Sequence, residues 1–576
     1  MASVFPPFCP AVRSRRVILP AMTSSRSTIR EMARLAASVA YRVGVVAHPR
    51  RLLRRRPPAM PAAVRVLPAA PVPPGYDADT QRWVAGVLAG SFRSPFADAD
   101  PEGMHDALRL RGVLPALAGM CSRVDAAPVL ARIGDLVRHT AALADRHPLA
   151  GWDTSTAALR MVSILDAVEE LERRGISLLR EQPWILGFVA AHRRALRAGA
   201  VCEPAGNHWF VNAAGRSACR LLLSGRDPLP GGAADGLAAA LGRQFLPDGG
   251  HVEMAPHYHV QVLALAGRLL AADTARGGSL RASLAPGIHG PREALGAMLA
   301  PDGSVARFGD ASRSFSGRTV ERDVELALGT QPGRAPAPCT RLPDFGMSCW
   351  RWGSPERDFC LFVDAGALGM GGNPGHGHAD MLSFTLYVGR VEVIADPGTY
   401  LYSDGADAMR FKRHDAHNTV CWTDRPVADL ARFFRWRSAA AVPAARLLPS
   451  RAAAGLAALR YADGRSHRRS WSLLPDGLVV VDELRGGPGP RVPATTRLML
   501  HPDSSVTGLG PRGAVVRSPA GTLAIELQGA PAGECRVDEG EYAPAYGVRT
   551  SAPVLAWPVA VGGGESTVRT RIRLLG

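Results

Sequence analysis

The sequence predicts a multidomain protein, helical first and β-rich second. Three observations carry this. Apolar residues recur at i, i+3, i+4, i+7 between residues 129 and 299, the period of an amphipathic helix. From about Phe345 onward the apolar runs become short, alternating and rich in β-branched residues, which is the strand pattern. The chain has 576 residues, and single cores rarely grow past ~250–300 residues. The expected organisation is a basic arm with one helix over 1–70, a helical domain over 71–338 and a β domain over 339–576.

The arm explains the charge. Residues 1–65 hold thirteen arginines and one acid, Glu31, and so supply +12 of the formal net charge of +17. The body is nearly balanced, which argues against nucleic acid as a partner. Residues 29–53 have helical spacing and lead into a run of arginines, as in a basic amphipathic helix lying on the body or on an anionic surface. Arg13, Arg15 and Arg16 precede only three apolar residues before Pro20, a poor match to a signal peptide. No uncharged apolar run reaches the ~18 residues of a membrane-spanning helix. Nine cysteines without a CxxC pair make neither a disulfide scaffold nor a cysteine metal site. A single lysine, Lys412, stands in a chain whose other basic residues are arginine; this bias reads as genome composition rather than phosphate recognition.

The helical periodicity predicts helices over 129–147, 154–174, 184–198, 208–223, 234–245, 252–272 and 291–299. Gly175, Asp227-Pro228 and Pro247-Asp248-Gly249-Gly250 punctuate them. Helices of similar length joined by short turns form a bundle, a solenoid or a toroid. Strands are predicted over 359–362, 382–388, 391–394, 419–422, 439–442, 478–482, 496–500 and 523–527, and together read as a sandwich. A cleft between two such halves is the default site.

Four clusters carry chemistry. Gly375-His376-Gly377-His378-Ala379-Asp380 precedes a strand, and two histidines at i, i+2 point the same way if the backbone is extended. Asp396 ends a strand at Pro397-Gly398-Thr399-Tyr400, and Arg413-His414-Asp415-Ala416-His417-Asn418 leads into another. His378, Asp396 and His417 would make a His₂-carboxylate set suited to Zn²⁺, or serve as ordinary turn and strand-end polar groups. In the helical half, Asn207-His208 opens a helix, and Glu253, His257, Tyr258 and His259 crowd one or two turns. Tyr258 stands out, because a phenol near cations can act as base and then acid.

Asn207-His208, the Asp248-Gly249-Gly250…Glu253…Tyr258-His259 block, His376-Gly377-His378-Ala379-Asp380, Asp396-Pro397-Gly398-Thr399-Tyr400 and Ala416-His417-Asn418-Thr419-Val420 together resemble the signature blocks of heparinase II/III-like polysaccharide lyases. Order and approximate spacing also fit, and Trp152…Arg160 resembles that family's Trp…Arg helix. The resemblance implies an incomplete (α/α) toroid followed by an antiparallel β-sandwich. It implies β-elimination on a uronic-acid-containing polysaccharide. Asn207 and His208 would face the uronate carboxylate, whose charge must be neutralised for the C5 proton to leave. Tyr258 would protonate the leaving oxygen, and either Tyr258 or His376 would take the C5 proton. His378, Asp396 and His417 match the positions of the family's structural zinc. Arg160, Glu253 and Arg413 are the expected substrate-binding residues.

The chain departs from one branch of that family: Trp209, Phe210 and Val211 follow His208 where that branch carries a Glu, which argues against heparin or heparan sulfate. The partner implied is an acidic polysaccharide, with a homodimer as an allowed assembly. The location implied is the periplasm or cell envelope, or the cytoplasm if the N-terminus is as written. Two rival readings stand beside elimination. A glycoside hydrolase needs two carboxylates roughly 6.5–9.5 Å apart if inverting, for which Glu253 and Asp310 are the candidates. The other rival is a non-catalytic glycan-binding protein of exopolysaccharide assembly.

Overall fold

The structure is a computed structural model that describes residues 78–89, 112–121, 126–199, 206–313, 319–329, 337–354, 357–371, 374–439, 455–487, 492–529, 533–562 and 564–575, with a few isolated positions ahead of residue 112. The arm predicted over 1–70, with its helix, lies outside them. No described helix is long and apolar enough to cross a membrane.

Helices come first and antiparallel sheets follow, as expected. The helix Asn207–Ser224 packs against Thr154–Glu172, Trp184–Gly199, Gly231–Gly242 and Pro256–Thr274. Local chemistry sets the ends. The Asp153 side chain accepts hydrogen bonds from the amides of Ser155 and Thr156 at 3.0 and 3.1 Å, so the next helix starts at Thr154. The helix expected from residue 252 starts instead at Pro256. Proline at the first helical position costs no hydrogen bond, and the preceding residues are tied into a turn by the bridge between Phe245 and His251. The helix expected over 291–299 runs from Leu280 to Met298 with Pro286 and Pro291 inside it.

The β part is a sandwich. A five-stranded meander runs Cys339–Leu342, Met347–Ser354, Arg357–Asp364, Phe384–Val388 and Val391–Ile394. A bridge between Ile394 and Leu500 joins it to a four-stranded sheet formed by Arg536–Ala545, Val548–Val561, Val492–Met499 and Val420–Trp422. The side chains of these sheets meet a seven-stranded sheet across one core that includes Leu361, Trp422, Trp471, Ile525 and Trp557.

The strand Arg357–Asp364 shows how the two halves join. Successive side chains on a strand point to opposite faces. Phe359, Leu361 and Val363 enter the sandwich core. Cys360 and Phe362 enter a second core, with Val260, Leu263 and Leu295 of the helices. A strand covered on both faces reads as a continuous apolar run, and Phe359-Cys360-Leu361-Phe362-Val363 is one. The shared core fixes the sandwich loops against the helix ends.

One buried ion pair ties the sandwich to those loops. Arg469, almost fully buried, donates to both oxygens of Asp482 at 2.6 and 3.0 Å and to the carbonyls of Leu382 and Asn418. Burial would raise the Asp482 pKa, but Arg469 and His467 hold it at about 2. Replacing one partner of such a pair strands the other charge. Asp482→Ala should therefore lower unfolding free energy by about 3–5 kcal/mol, measured by urea denaturation. A loss under about 1 kcal/mol would contradict this account.

Candidate active site

The N-terminus of the helix Asn207–Ser224, the first turn of Pro256–Thr274 and the loop segment 374–383 converge. Glu253 links the first to the third. Its Oε1 accepts the amide of Asn207 at 2.7 Å, and its Oε2 lies 3.6 Å from His376 Nε2. Gly206 makes this approach possible. Its φ is +103°, and a Cβ there would sit 2.2 Å from Glu253 Oε1. Asn207 is buried, and its side-chain oxygen finds no hydrogen-bond partner among the described residues. His208 follows it in the same turn and is half-buried.

The rings of Tyr258 and His376 pack against each other, centroids 4.0 Å apart and tilted by 33°. The Tyr258 hydroxyl is 3.0 Å from that of Tyr402. Burial, then the charge of Asp310 and the neighbouring Tyr258, push the Tyr402 pKa well up. Tyr402 therefore keeps its proton and can give a hydrogen bond to Tyr258 whenever that phenol is ionised. Phe434 closes the ring cluster, 5.6 Å from His376.

Asp310 organises the floor. Its carboxylate meets His376 Nδ1 at 2.8 Å, His378 Nε2 at 2.9 Å and Lys412 Nζ at 3.0 Å. Lys412, the single lysine, also donates to the carbonyl of Gly375 at 2.8 Å and sits 4.3 Å from the centre of the Phe433 ring. Burial would raise the Asp310 pKa, but Lys412, with His376 and His378, holds it far below the ordinary carboxylate value. A carboxylate on Nδ1 places the His376 proton there and leaves Nε2 as the basic nitrogen facing Glu253 and the cleft. Gly377 allows the turn between the two histidines, because a Cβ there would fall 1.4 Å from the Leu368 carbonyl oxygen.

Next to this floor is a candidate metal site, and it corrects one expectation. The ligand atoms of His378, Asp380 and His417 lie within 4.8 Å of one another, all buried. Asp396 is not among them. Its Oδ2 meets His417 Nδ1 at 2.9 Å, and its Oδ1 accepts the amide of Gly398. It holds His417 through Nδ1, as Asp310 holds His378 through Nε2. The nitrogens left over, Nδ1 of His378 and Nε2 of His417, are buried without a partner. Asp380 also crowds Asp364, whose pKa is pushed well up by burial and by the Asp380 charge. Two inward-facing imidazole nitrogens and a carboxylate in excess of local cations fit a divalent metal.

Three substrate-binding expectations are also corrected. Arg160 is fully buried and bonds His192 Nε2 and the Gly151 carbonyl, both at 2.7 Å, beside the Trp152 ring that packs, tilted, against His192. It holds helices together and does not reach the cleft. Arg413 is exposed and pairs with Asp415. It lines a separate cavity of about 1000 Å³ in the β part, whose lining includes neither Tyr258 nor His376. Glu253 is at the site but buried, bracing Asn207. Tyr402, Lys412, Asp380 and Phe434 were missed by sequence reasoning. Asp380 sits inside the motif read for its histidines, and the isolation of Lys412 among arginines was a signal that went unused.

Residues 334–565 match the family model described as Heparinase II/III-like, C-terminal. No curated protein sequence matches the chain. Among solved structures, a heparinase III superposes with a TM-score of 0.60 at 14% identity, covering 96% of this chain and 91% of that one. A second heparinase III gives 0.58 at 15% identity over 80% and 76%. The heparan sulfate lyase of Pedobacter heparinus gives 0.53 at 15% identity over 96% and 92%. At these identities the likeness establishes a shared fold.

Proposed function

We propose that this protein is a polysaccharide lyase that cleaves a uronic-acid-containing polysaccharide by β-elimination. The observation that carries the proposal is the packing of the Tyr258 phenol on the His376 imidazole, with Asn207 braced beside them. Asn207 and His208 neutralise the uronate carboxylate, which makes the C5 hydrogen acidic enough to remove. A base, Tyr258 as phenolate or His376 through Nε2, takes the C5 proton. The C5–H electron pair becomes the C4–C5 double bond, and the C4–O bond breaks with its electrons on oxygen. Tyr258 returns a proton to that oxygen. The products are a 4,5-unsaturated uronate and a chain with a free hydroxyl.

The geometry disfavours hydrolysis. Of its two candidate carboxylates, Asp310 is saturated by three cationic or N–H donors, and Glu253 is buried with one oxygen on the Asn207 amide and the other facing His376. Neither is placed to activate water. The test is ultraviolet absorbance of the reaction with a panel of uronate polymers. Absorbance that rises with one of them supports elimination. New reducing ends without absorbance would sink it.

In the same reading the metal is zinc and structural: His378, Asp380 and His417 hold it, and it supplies a fixed anchor for the loop carrying His376. Elemental analysis should then find one equivalent of zinc. Chelation should lower Tm, and zinc restored at 1,000 times its Kd should add about 4 kcal/mol of stability. A protein that binds no metal and is indifferent to chelator would refute this part.

A further inference from the structure

A second site lies on the helical half. Helix Trp184–Gly199 presents Arg193 and Arg197, one turn apart, and helix Asn207–Ser224 presents Arg216 and Arg220 in the same relation. All four line one cavity of about 300 Å³, closed on its third side by the first turns of helix Gly231–Gly242. No carboxylate is among the lining residues. Like charges at i, i+4 repel along a helix, and an anion in the cavity relieves that repulsion. The third wall is equally suited to an anion. The helix begins Gly231-Gly232 after Pro230 with no side-chain cap; the amides of Ala233 and Ala234 donate to the Pro230 carbonyl, while those of Gly231 and Gly232 precede the first intrahelical bond. No atom lies within 4 Å of where a Cβ at Gly231, Gly232 or Gly236 would stand, so a ligand can approach the backbone.

We propose that this cavity binds the oxyanion groups, carboxylate or sulfate, of the acidic polysaccharide at a subsite outside the cleavage cleft. Guanidinium forks match such planar or tetrahedral oxyanions bidentately. The site shares a helix with Asn207: Arg216 and Arg220 are nine and thirteen residues further on, or ~13 and ~20 Å along the axis at 1.5 Å per residue. A polymer that crosses the catalytic end of this helix can therefore be held some distance from the bond that breaks. The inference rests on the lyase reading for the identity of the ligand, but its geometry is separate from the Tyr258–His376 cluster.

The test uses the full chain carrying Tyr258→Phe, which prevents turnover, and measures Kd for long uronate and sulfated polysaccharides at several salt concentrations. Two changes are compared on that background: Arg193→Ser with Arg197→Ser, and Gly232→Asp. The second adds a carboxylate at the cavity floor in open space, where an acid also suits the helix N-terminus, so a folding defect is not expected. Each should weaken polymer binding roughly tenfold and flatten its salt dependence. In the otherwise native enzyme each should raise KM for long polymer roughly tenfold and leave turnover of a tetrasaccharide unchanged. Unchanged polymer affinity in folded variants, or binding of no polymer at all, overturns the proposal. So does a site that takes inorganic sulfate while polymer affinity ignores Gly232→Asp, which would mark a free-anion site. Polymer binding that depends on Gly232→Asp without any elimination would instead sink the lyase reading and leave the site standing.

Discussion

Tyr258→Phe should lower kcat on the polysaccharide substrate by about 10²- to 10⁴-fold, the usual contribution of a positioned acid or base. The change removes one oxygen. The ring keeps its place against His376, and Phe fills the same volume. Folding loses the hydrogen bond with the Tyr402 hydroxyl, worth about 1–3 kcal/mol when a buried donor is stranded. Substrate affinity should hardly change, because the phenol acts on atoms whose charge develops only in the transition state. The loss should therefore fall on kcat and not on KM. Tyr402→Phe should cost less, roughly 5- to 150-fold, which is one hydrogen bond to a developing phenolate converted to rate. Steady-state kinetics on the polymer identified by absorbance decide both. A Tyr258→Phe enzyme within threefold of the native rate would remove Tyr258 from the chemistry and leave His376 as the candidate.

Much of this was legible in the sequence. Periodicity located the helices and strands because each element buries one face, and helix–strand order then implied two halves and a cleft. The candidate site was legible at Asn207, Tyr258 and His376 because these residues fall in short motifs. The errors share a cause: they concern which of several polar residues turns inward. Asp380 and Asp396 are both buried acids beside His417, and only the three-dimensional register shows that Asp396 is the one bonded to the imidazole Nδ1. Arg160 sits on a helix face that spacing could not distinguish from a cleft wall. Asp310 entered as a hydrolase candidate, because an isolated Arg307-Phe308-Gly309-Asp310 segment says nothing of the three donors that other loops bring to it.

Those donors make Asp310 the residue whose removal should do most harm. Asp310→Ala leaves the buried ammonium of Lys412 without its anion and strips His376 and His378 of their orienting acceptor. Uncompensated buried charge costs about 3–5 kcal/mol. Lys412→Met alone should cost less, because Asp310 retains the two imidazole N–H donors. The double variant should recover part of the loss, since no unpaired ammonium remains. The expected coupling energy in the cycle is about 1–3 kcal/mol, read from urea denaturation; additivity within about 0.5 kcal/mol would show that the two side chains do not form a pair. The pH dependence gives an independent sign. Because the folded-state pKa of Asp310 is depressed, its contribution is complete above the ordinary carboxylate pKa of about 4 and is lost as pH falls below it. The native protein should therefore lose stability on acidification faster than Asp310→Asn. Activity separates position from packing. In Asp310→Asn the amide oxygen can still accept the Nδ1 proton of His376, so the ring stays in place, but the negative charge that stabilises its protonated form is gone. If His376 is the C5 base, kcat should fall by about 10²- to 10⁴-fold with little change in KM. If Tyr258 is the base and His376 only helps electrostatically, the imidazole need not accept a proton and the fall should be about tenfold or less. The single substitution thus tests the network and assigns the base.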